Sequence, residues 1–206
     1  MQTGEMSAVV LAGGKSSRMG RNKMLLPLGE ETVVSSLFKT LSGLFSEYIL
    51  VTDQPDAYRF LPARIVRDLI SCPVKNSLVG IHAGLSASTT SYNFILAGDM
   101  PFVRRELIHY LCTLADGYDV VIPRDGKYYQ PLCAVYHVRC IPFIENFLMQ
   151  KRYKVLDFFQ DVHVRFIDVD TLKRFDAQLL SFFNINTPDD YRLATEIAAK
   201  KPWKGE

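Results

Sequence analysis

Between Leu11 and Lys23 the chain reads Leu-Ala-Gly-Gly-Lys-Ser-Ser-Arg-Met-Gly-Arg-Asn-Lys. Adjacent glycines let a backbone approach an anion with its N–H groups exposed. The cations Lys15, Arg18, Arg21 and Lys23 lie in a stretch, Ala8 to Leu28, that holds no acidic residue to balance them. Such a loop suits a small, multiply charged anion. It is neither of two common phosphate loops: Gly20 is followed by Arg21 and Asn22 where a Walker loop needs Lys and Ser or Thr, and the adjacency of Gly13 and Gly14 breaks the dinucleotide pattern GxGxxG.

A second chemical group stands at Gly98-Asp99-Met100-Pro101. A carboxylate beside a glycine at the end of a buried strand is placed to hold a magnesium ion carried in by a triphosphate; the plainer alternative is that Asp99 caps the helix beginning near Val103. Further on, Asn184 and Asn186 alternate along a stretch predicted to be a strand, which would turn both toward one ligand or metal-bound water. The histidines His82, His109, His137 and His163 form no constellation with a cysteine, a serine or each other at a diagnostic spacing. Hydrolase triads and zinc sites are therefore not expected.

These groups need elements to place them. Ser7 to Ala12 is a short apolar run closed by Gly13, as expected of a strand buried on both faces of a parallel sheet. Val33, Leu37, Leu41 and Leu44 recur at helical spacing, so a strand, loop and helix unit surrounds the glycines. Strands are predicted at Tyr48 to Thr52, Arg64 to Arg67, Asn93 to Ala97 and Asp119 to Ile122. A helix through Leu78, Ile81 and Leu85 and another over Arg104 to Leu114 separate them. The second half is less regular: a turn at Gly126-Lys127, a strand Leu132 to Tyr136, a helix Ile141 to Met149 and a late strand Phe182 to Ile185. Thr187, Pro188, Asp189 and Asp190 then open a final helix with a cap, a first-turn proline and first-turn acids. The pattern is that of an α/β three-layer sandwich, Rossmann-like, with a mostly parallel sheet and antiparallel additions in the second half.

The 206 residues fit one domain, with no repeat and no linker. A net charge of +2 argues against a nucleic-acid polymer as partner. No apolar run approaches the length of a membrane span, and Met1 to Ser7 shows no export signal. Cys72, Cys112, Cys133 and Cys140 are widely spaced, as expected of reduced packing residues in a cytoplasmic protein.

The segment LAGGxSxRMGxxK resembles the signature of the MobA-like nucleoside-triphosphate transferases, the family that includes molybdenum cofactor guanylyltransferase, and the likeness extends in order through Gly98-Asp99-Met100-Pro101 to Asn184-Ile185-Asn186-Thr187-Pro188-Asp189. The resemblance implies a nucleotide-diphospho-sugar-transferase-like fold and transfer of GMP from GTP to molybdopterin with release of pyrophosphate. It assigns catalysis to Arg18, Lys23 and Asp99, with Asp99 as the Mg²⁺ ligand. It assigns the nucleotide to Leu11, Ala12, Gly13, Gly14, Lys23, Thr52, Asp68, Gly80 and Asp99, and the acceptor to Gln130, Lys154, Asn184 and Asn186. Arg152 lies in the same basic segment as Lys154. Transient partners would be the proteins that deliver molybdopterin and mature molybdoenzymes, and the chain would act as a monomer. Two departures stand out: Asn76-Ser77 replaces Gly-Pro in the family's GPLxG segment, and Thr52 stands where an asparagine is usual. Open alternatives are a cytidylyltransferase for the same cofactor or for a sugar or isoprenoid phosphate, a catalytically silent nucleotide-binding module, and an adaptor that hands on the cofactor.

Overall fold

A computed structural model describes residues 3–13, 22–70, 72, 74 and 76–200. Strand β1 (Ser7–Leu11) is buried at every position. After the glycine-rich loop come a short hairpin, β2 (Pro27–Leu28) and β3 (Glu31–Thr32), and then helix α1 (Val33–Leu41), where the Thr32 hydroxyl accepts the Ser35 N–H. Next in order are β4 (Glu47–Val51), β5 (Arg64–Val66), α2 (Ser77–Ala87), β6 (Tyr92–Ala97) and α3 (Arg105–Thr113). The second half supplies β7 (Val120–Asp125), β8 (Tyr128–Tyr129), β9 (Cys133–His137), α4 (Ile141–Met149), β10 (Val164–Asp168), α5 (Val169–Leu172) and α6 (Pro188–Lys200).

The strands form one eight-stranded sheet in the order β10-β7-β9-β6-β1-β4-β5, with β8 paired to β7, while β2 and β3 pair with each other. β1 runs parallel to both neighbours, with Leu11 level with Val51 on one side and Ala97 on the other. Only β9 and β8 run against the common direction. Because β1, β4 and β6 end at the same level, the chain leaving each of them emerges at one edge of the sheet. That edge is where open α/β sheets place their ligands.

Period-two alternation divides the core between the two faces. Ala8, Val10, Phe94 and Leu96 join α1 and α3 in one cluster; Val9, Leu11 and Ile95 join α2 and α4 in the other. Helix α2 is buried from Leu78 to Leu85, pressed between the sheet and α4, and it comes close to β1 through glycines. A β-carbon on Gly80 would touch the Leu11 side chain, and one on Gly84 would run into Val9 Cγ1. A smaller cluster of Leu28, Val33, Phe102, Ile185 and Ala194 seats α6 beside the hairpin. No helix among the described residues is long and apolar enough to cross a membrane.

One expectation fails. Phe182 to Ile185 is not a strand: Leu180–Phe182 is a single 3₁₀ turn following Leu179, which is left-handed at φ 52°, and the chain then runs extended outside the sheet. The apolar alternation is real, since Ile185 is fully buried, but it serves the small cluster under α6 and not a ladder. Conversely β10, at one edge of the sheet, carries half-exposed and exposed residues over most of its length, so no apolar run marks it; neither it nor the β2–β3 hairpin is signalled by the sequence pattern. Gly84→Ala is expected to destabilise the protein by roughly 1–3 kcal/mol through overpacking against Val9, outweighing the gain of up to about 1 kcal/mol in helix propensity. Denaturant unfolding of the variant checks this, and equal or greater stability would mean that the α2–β1 spacing can relax.

Candidate active site

The end of β1 is fastened on both sides. Ala12 N–H donates to Val51 O at 2.8 Å, and Leu11 O accepts Gly98 N–H at 3.0 Å. The loop returns at Asn22, whose side-chain oxygen accepts the Met24 N–H at 3.2 Å and so starts the 3₁₀ turn Lys23–Leu25. Met24 is buried across Gly98: a β-carbon there would stand 2.7 Å from Met24 Sδ and 3.2 Å from Leu11 O. The absent side chain lets the turn lie close enough for Lys23 to reach Asp99.

Lys23 Nζ sits 2.5 Å from Asp99 Oδ2 and donates to Asn186 Oδ1 at 3.1 Å. The two charged side chains are only 18% and 13% exposed, so their attraction is less screened than that of a surface pair. Asp99 is not a helix cap, because α3 begins six residues later with Arg104 in the cap position. The segment bearing Asn186 is docked by Ile185 N–H on Asp99 O at 3.0 Å. Behind it, the Asp190 carboxylate accepts the N–H groups of Asn186 and Thr187 at 2.9 and 2.8 Å, while the Thr187 hydroxyl accepts Asp190 N–H. This reciprocal cap fixes the start of α6. The Asn186 N–H, with help from Thr187 and from the charge of Lys23, holds the Asp190 carboxyl below its ordinary pKa.

The expected site residues divide into groups. Leu11, Ala12, Gly13, Lys23, Thr52, Asp99 and Asn186 lie at or beside this edge, whereas Gly14 and Arg18 fall outside the described residues. Thr52 is buried; its N–H donates to Val66 O at 2.9 Å and its hydroxyl to Ala12 O at 3.4 Å. Asp68, two residues beyond β5, faces solvent, and partial desolvation raises its carboxyl above the ordinary value. Gly80 is buried in α2 against Leu11, and Asn76 caps that helix on Val79 N–H at 3.1 Å. Gln130 precedes the Leu132 carbonyl that accepts Ala97 N–H, which brings it beside the end of β6. Lys154 is exposed, while Arg152 is engaged by Asp157 and stacks over Phe147. Asn184 departs from expectation: with no strand to align the two asparagines, its amide donates to Phe182 O at 2.9 Å, and only Asn186 meets Lys23. Asn22, Gln54 and Tyr58, which support the return of the loop, carry no periodic or motif signal in the sequence.

The donors around Lys23, a carboxylate and an amide oxygen, are hard oxygen ligands of the type Mg²⁺ accepts. No group of three or more His, Cys, Asp or Glu among the described residues could form a metal cage. An ion held at Asp99 would therefore complete its shell with phosphate and water oxygens, which is how Mg²⁺ is usually bound with nucleotides.

A central parallel strand followed by a glycine-rich sequence, with Lys23 and Asp99 paired at the same sheet edge, is an arrangement suited to a polyphosphate. Residues 8–164 match the MobA-like NTP transferase domain, and the chain belongs to that family. It is 35% identical over 202 residues to a probable molybdenum cofactor guanylyltransferase of Natranaerobius thermophilus, covering 96% of this chain and 98% of the relative. A protein of the same description from Pelotomaculum thermopropionicum is 38% identical over 194 residues, 94% of each chain. The crystal structure of molybdopterin-guanine dinucleotide biosynthesis protein A from Archaeoglobus fulgidus superposes with a TM-score of 0.82 at 31% identity, covering 95% of this chain and all of the other. A Thermus thermophilus 2-C-methyl-D-erythritol 4-phosphate cytidylyltransferase, at 15% identity and a TM-score of 0.69, shares the fold.

Gly98→Ala is expected to displace the Lys23 turn, since the added methyl would stand 2.7 Å from the buried Met24 Sδ with the Leu11 carbonyl close on another side, and to slow nucleotidyl transfer while circular dichroism stays unchanged. Wild-type turnover would show that the Lys23 to Asp99 approach does not need this glycine. Asp190 offers a pH test. Its folded pKa lies below the ordinary value, so its stabilisation is present above that value and is lost as pH falls through the depressed one. Asp190→Asn should therefore melt below wild type near neutral pH, with the gap closing in strong acid; a gap that persists there would rule out ionised Asp190 as the anchor of α6.

Proposed function

We propose that the protein is a molybdenum cofactor guanylyltransferase that transfers GMP from GTP to the phosphate of molybdopterin and releases pyrophosphate. The observation that carries the reading is Lys23 Nζ held between Asp99 and Asn186 at the sheet edge where the glycine-rich loop begins and ends. The guanine and molybdopterin specificity rests on the relatives, which bear that activity in their names.

An oxygen of the acceptor phosphate attacks the α-phosphorus in line; that P–O bond forms as the bond to the α–β bridging oxygen breaks, and pyrophosphate departs with the electron pair. The acceptor phosphate is already ionised near neutral pH, so no protein nucleophile or general base is required. The protein's work is positioning and charge compensation. Lys23 exchanges its partnership with Asp99 for the polyphosphate, and Arg18 adds a second cation from the same loop. Leu11, Ala12, Gly13, Gly14, Thr52, Asp68 and Gly80 surround the nucleotide. Gln130, Lys154 and Asn186 face the acceptor, and Asn184 braces the same segment through Phe182 O. Mg²⁺, held by Asp99 with the Asn186 amide beside it, would neutralise phosphate charge. We place the enzyme in the cytoplasm as a monomer of one domain, receiving molybdopterin from its delivery proteins and passing the product to molybdoenzyme maturation.

Asp99→Ala is expected to cut pyrophosphate release from GTP, in the presence of Mg²⁺ and molybdopterin, by about a hundredfold or more while the fold is retained. Undiminished turnover would sink the assignment. Faster release from CTP than from GTP would move the protein to the cytidylyltransferases.

A further inference from the structure

The two described ends of the glycine-rich loop are joined through the connection between β4 and β5. At the outgoing end, the Thr52 hydroxyl donates to Ala12 O and accepts the Gln54 N–H at 3.2 Å. At the returning end, Asn22 Nδ2 donates to Gln54 Oε1 at 3.2 Å and to the Tyr58 hydroxyl at 2.9 Å, while Asn22 Oδ1 caps Met24. Gln54 thus belongs to both halves, through its backbone on one side and its side chain on the other.

Tyr58 has no exposed surface, and its ring packs in the main core with Leu37, Leu41 and Leu61. A phenylalanine would fill that space equally well. A buried hydroxyl needs a partner, and the partner here is Asn22, the residue that immediately precedes Lys23. Burial raises the Tyr58 pKa, against a smaller lowering effect of Asn22, so the phenol stays neutral and available as donor or acceptor.

We propose that Thr52, Gln54 and Tyr58 form a clamp that holds the exit and return of the glycine-rich loop at a fixed separation, and that the Tyr58 hydroxyl, acting through Asn22, is a positioning residue for Lys23 on the leaving polyphosphate of a nucleoside triphosphate. The inference rests on the reading of this loop as a triphosphate site. It singles out the β- and γ-phosphates: a nucleoside monophosphate has nothing for Lys23 to grip there, so its binding does not sense the arm of the clamp that runs from the Tyr58 hydroxyl through Asn22 to Lys23.

Calorimetric titration with GTP, CTP and GMP separates the possibilities. Tyr58→Phe is expected to weaken binding of the preferred triphosphate by about fivefold, the worth of one hydrogen bond, and to leave GMP binding unchanged. In a Lys23→Ala background the same substitution should change triphosphate affinity by less than about twofold, because the two side chains act as one unit. Gln54→Ala, a change at an exposed residue that leaves the core intact, should show a smaller split in the same direction and stands in if Tyr58→Phe fails to fold. Equal losses for triphosphate and monophosphate, or an undiminished loss without Lys23, would overturn the clamp. Wild-type protein that prefers CTP would overturn the guanine assignment alone, and wild-type protein that binds GTP and GMP equally would overturn the triphosphate reading itself.

Discussion

The ion pair between Lys23 and Asp99 organises the edge of the sheet. Each partner arrives from a different strand connection, Lys23 after β1 and Asp99 after β6, and a third connection brings Asn186 to the same nitrogen. The partly buried lysine and carboxylate satisfy each other's charge, so neither is left unpaired in a poorly hydrated place. In the mechanism proposed above, the lysine turns to the polyphosphate and the carboxylate to a cation, so the same two side chains would serve both the fold and the reaction.

Everything beneath that pair serves its spacing. The parallel register that levels Leu11 with Val51 and Ala97 puts three connections side by side. Glycines remove side chains where elements must approach: Gly84 lets α2 lie on Val9, and Gly98 lets Met24 cross the end of β6. The satellite cluster around Ile185 and Phe102, together with the reciprocal Thr187 and Asp190 cap, fixes the last segment against Asp99. Hydrophobic burial sets the distances and hydrogen bonds set the directions.

Sequence reasoning reached the family because the family's signature uses unusual residues in unusual places: adjacent glycines, unbalanced cations and an aspartate just past an apolar strand. It reached the central strands for a similar reason, since full burial demands unbroken apolar runs such as Ser7 to Leu11. It failed where burial is partial. β10 is half exposed along an edge, and the stretch before α6 alternates because Ile185 is buried in a side cluster, not because a ladder exists. It was also blind to the support of Lys23. Asn22 and Tyr58 are 36 residues apart, and nothing in either local sequence announces that a core tyrosine will meet a loop asparagine.

The activity itself is tested most directly by the product. Purified protein incubated with GTP, CTP and ATP together, Mg²⁺ and molybdopterin should yield, by mass spectrometry, the guanine dinucleotide of the cofactor with one pyrophosphate released per molecule formed. A cytosine or adenine dinucleotide, or unchanged molybdopterin in the presence of all three nucleotides, would refute guanylyl transfer at this site.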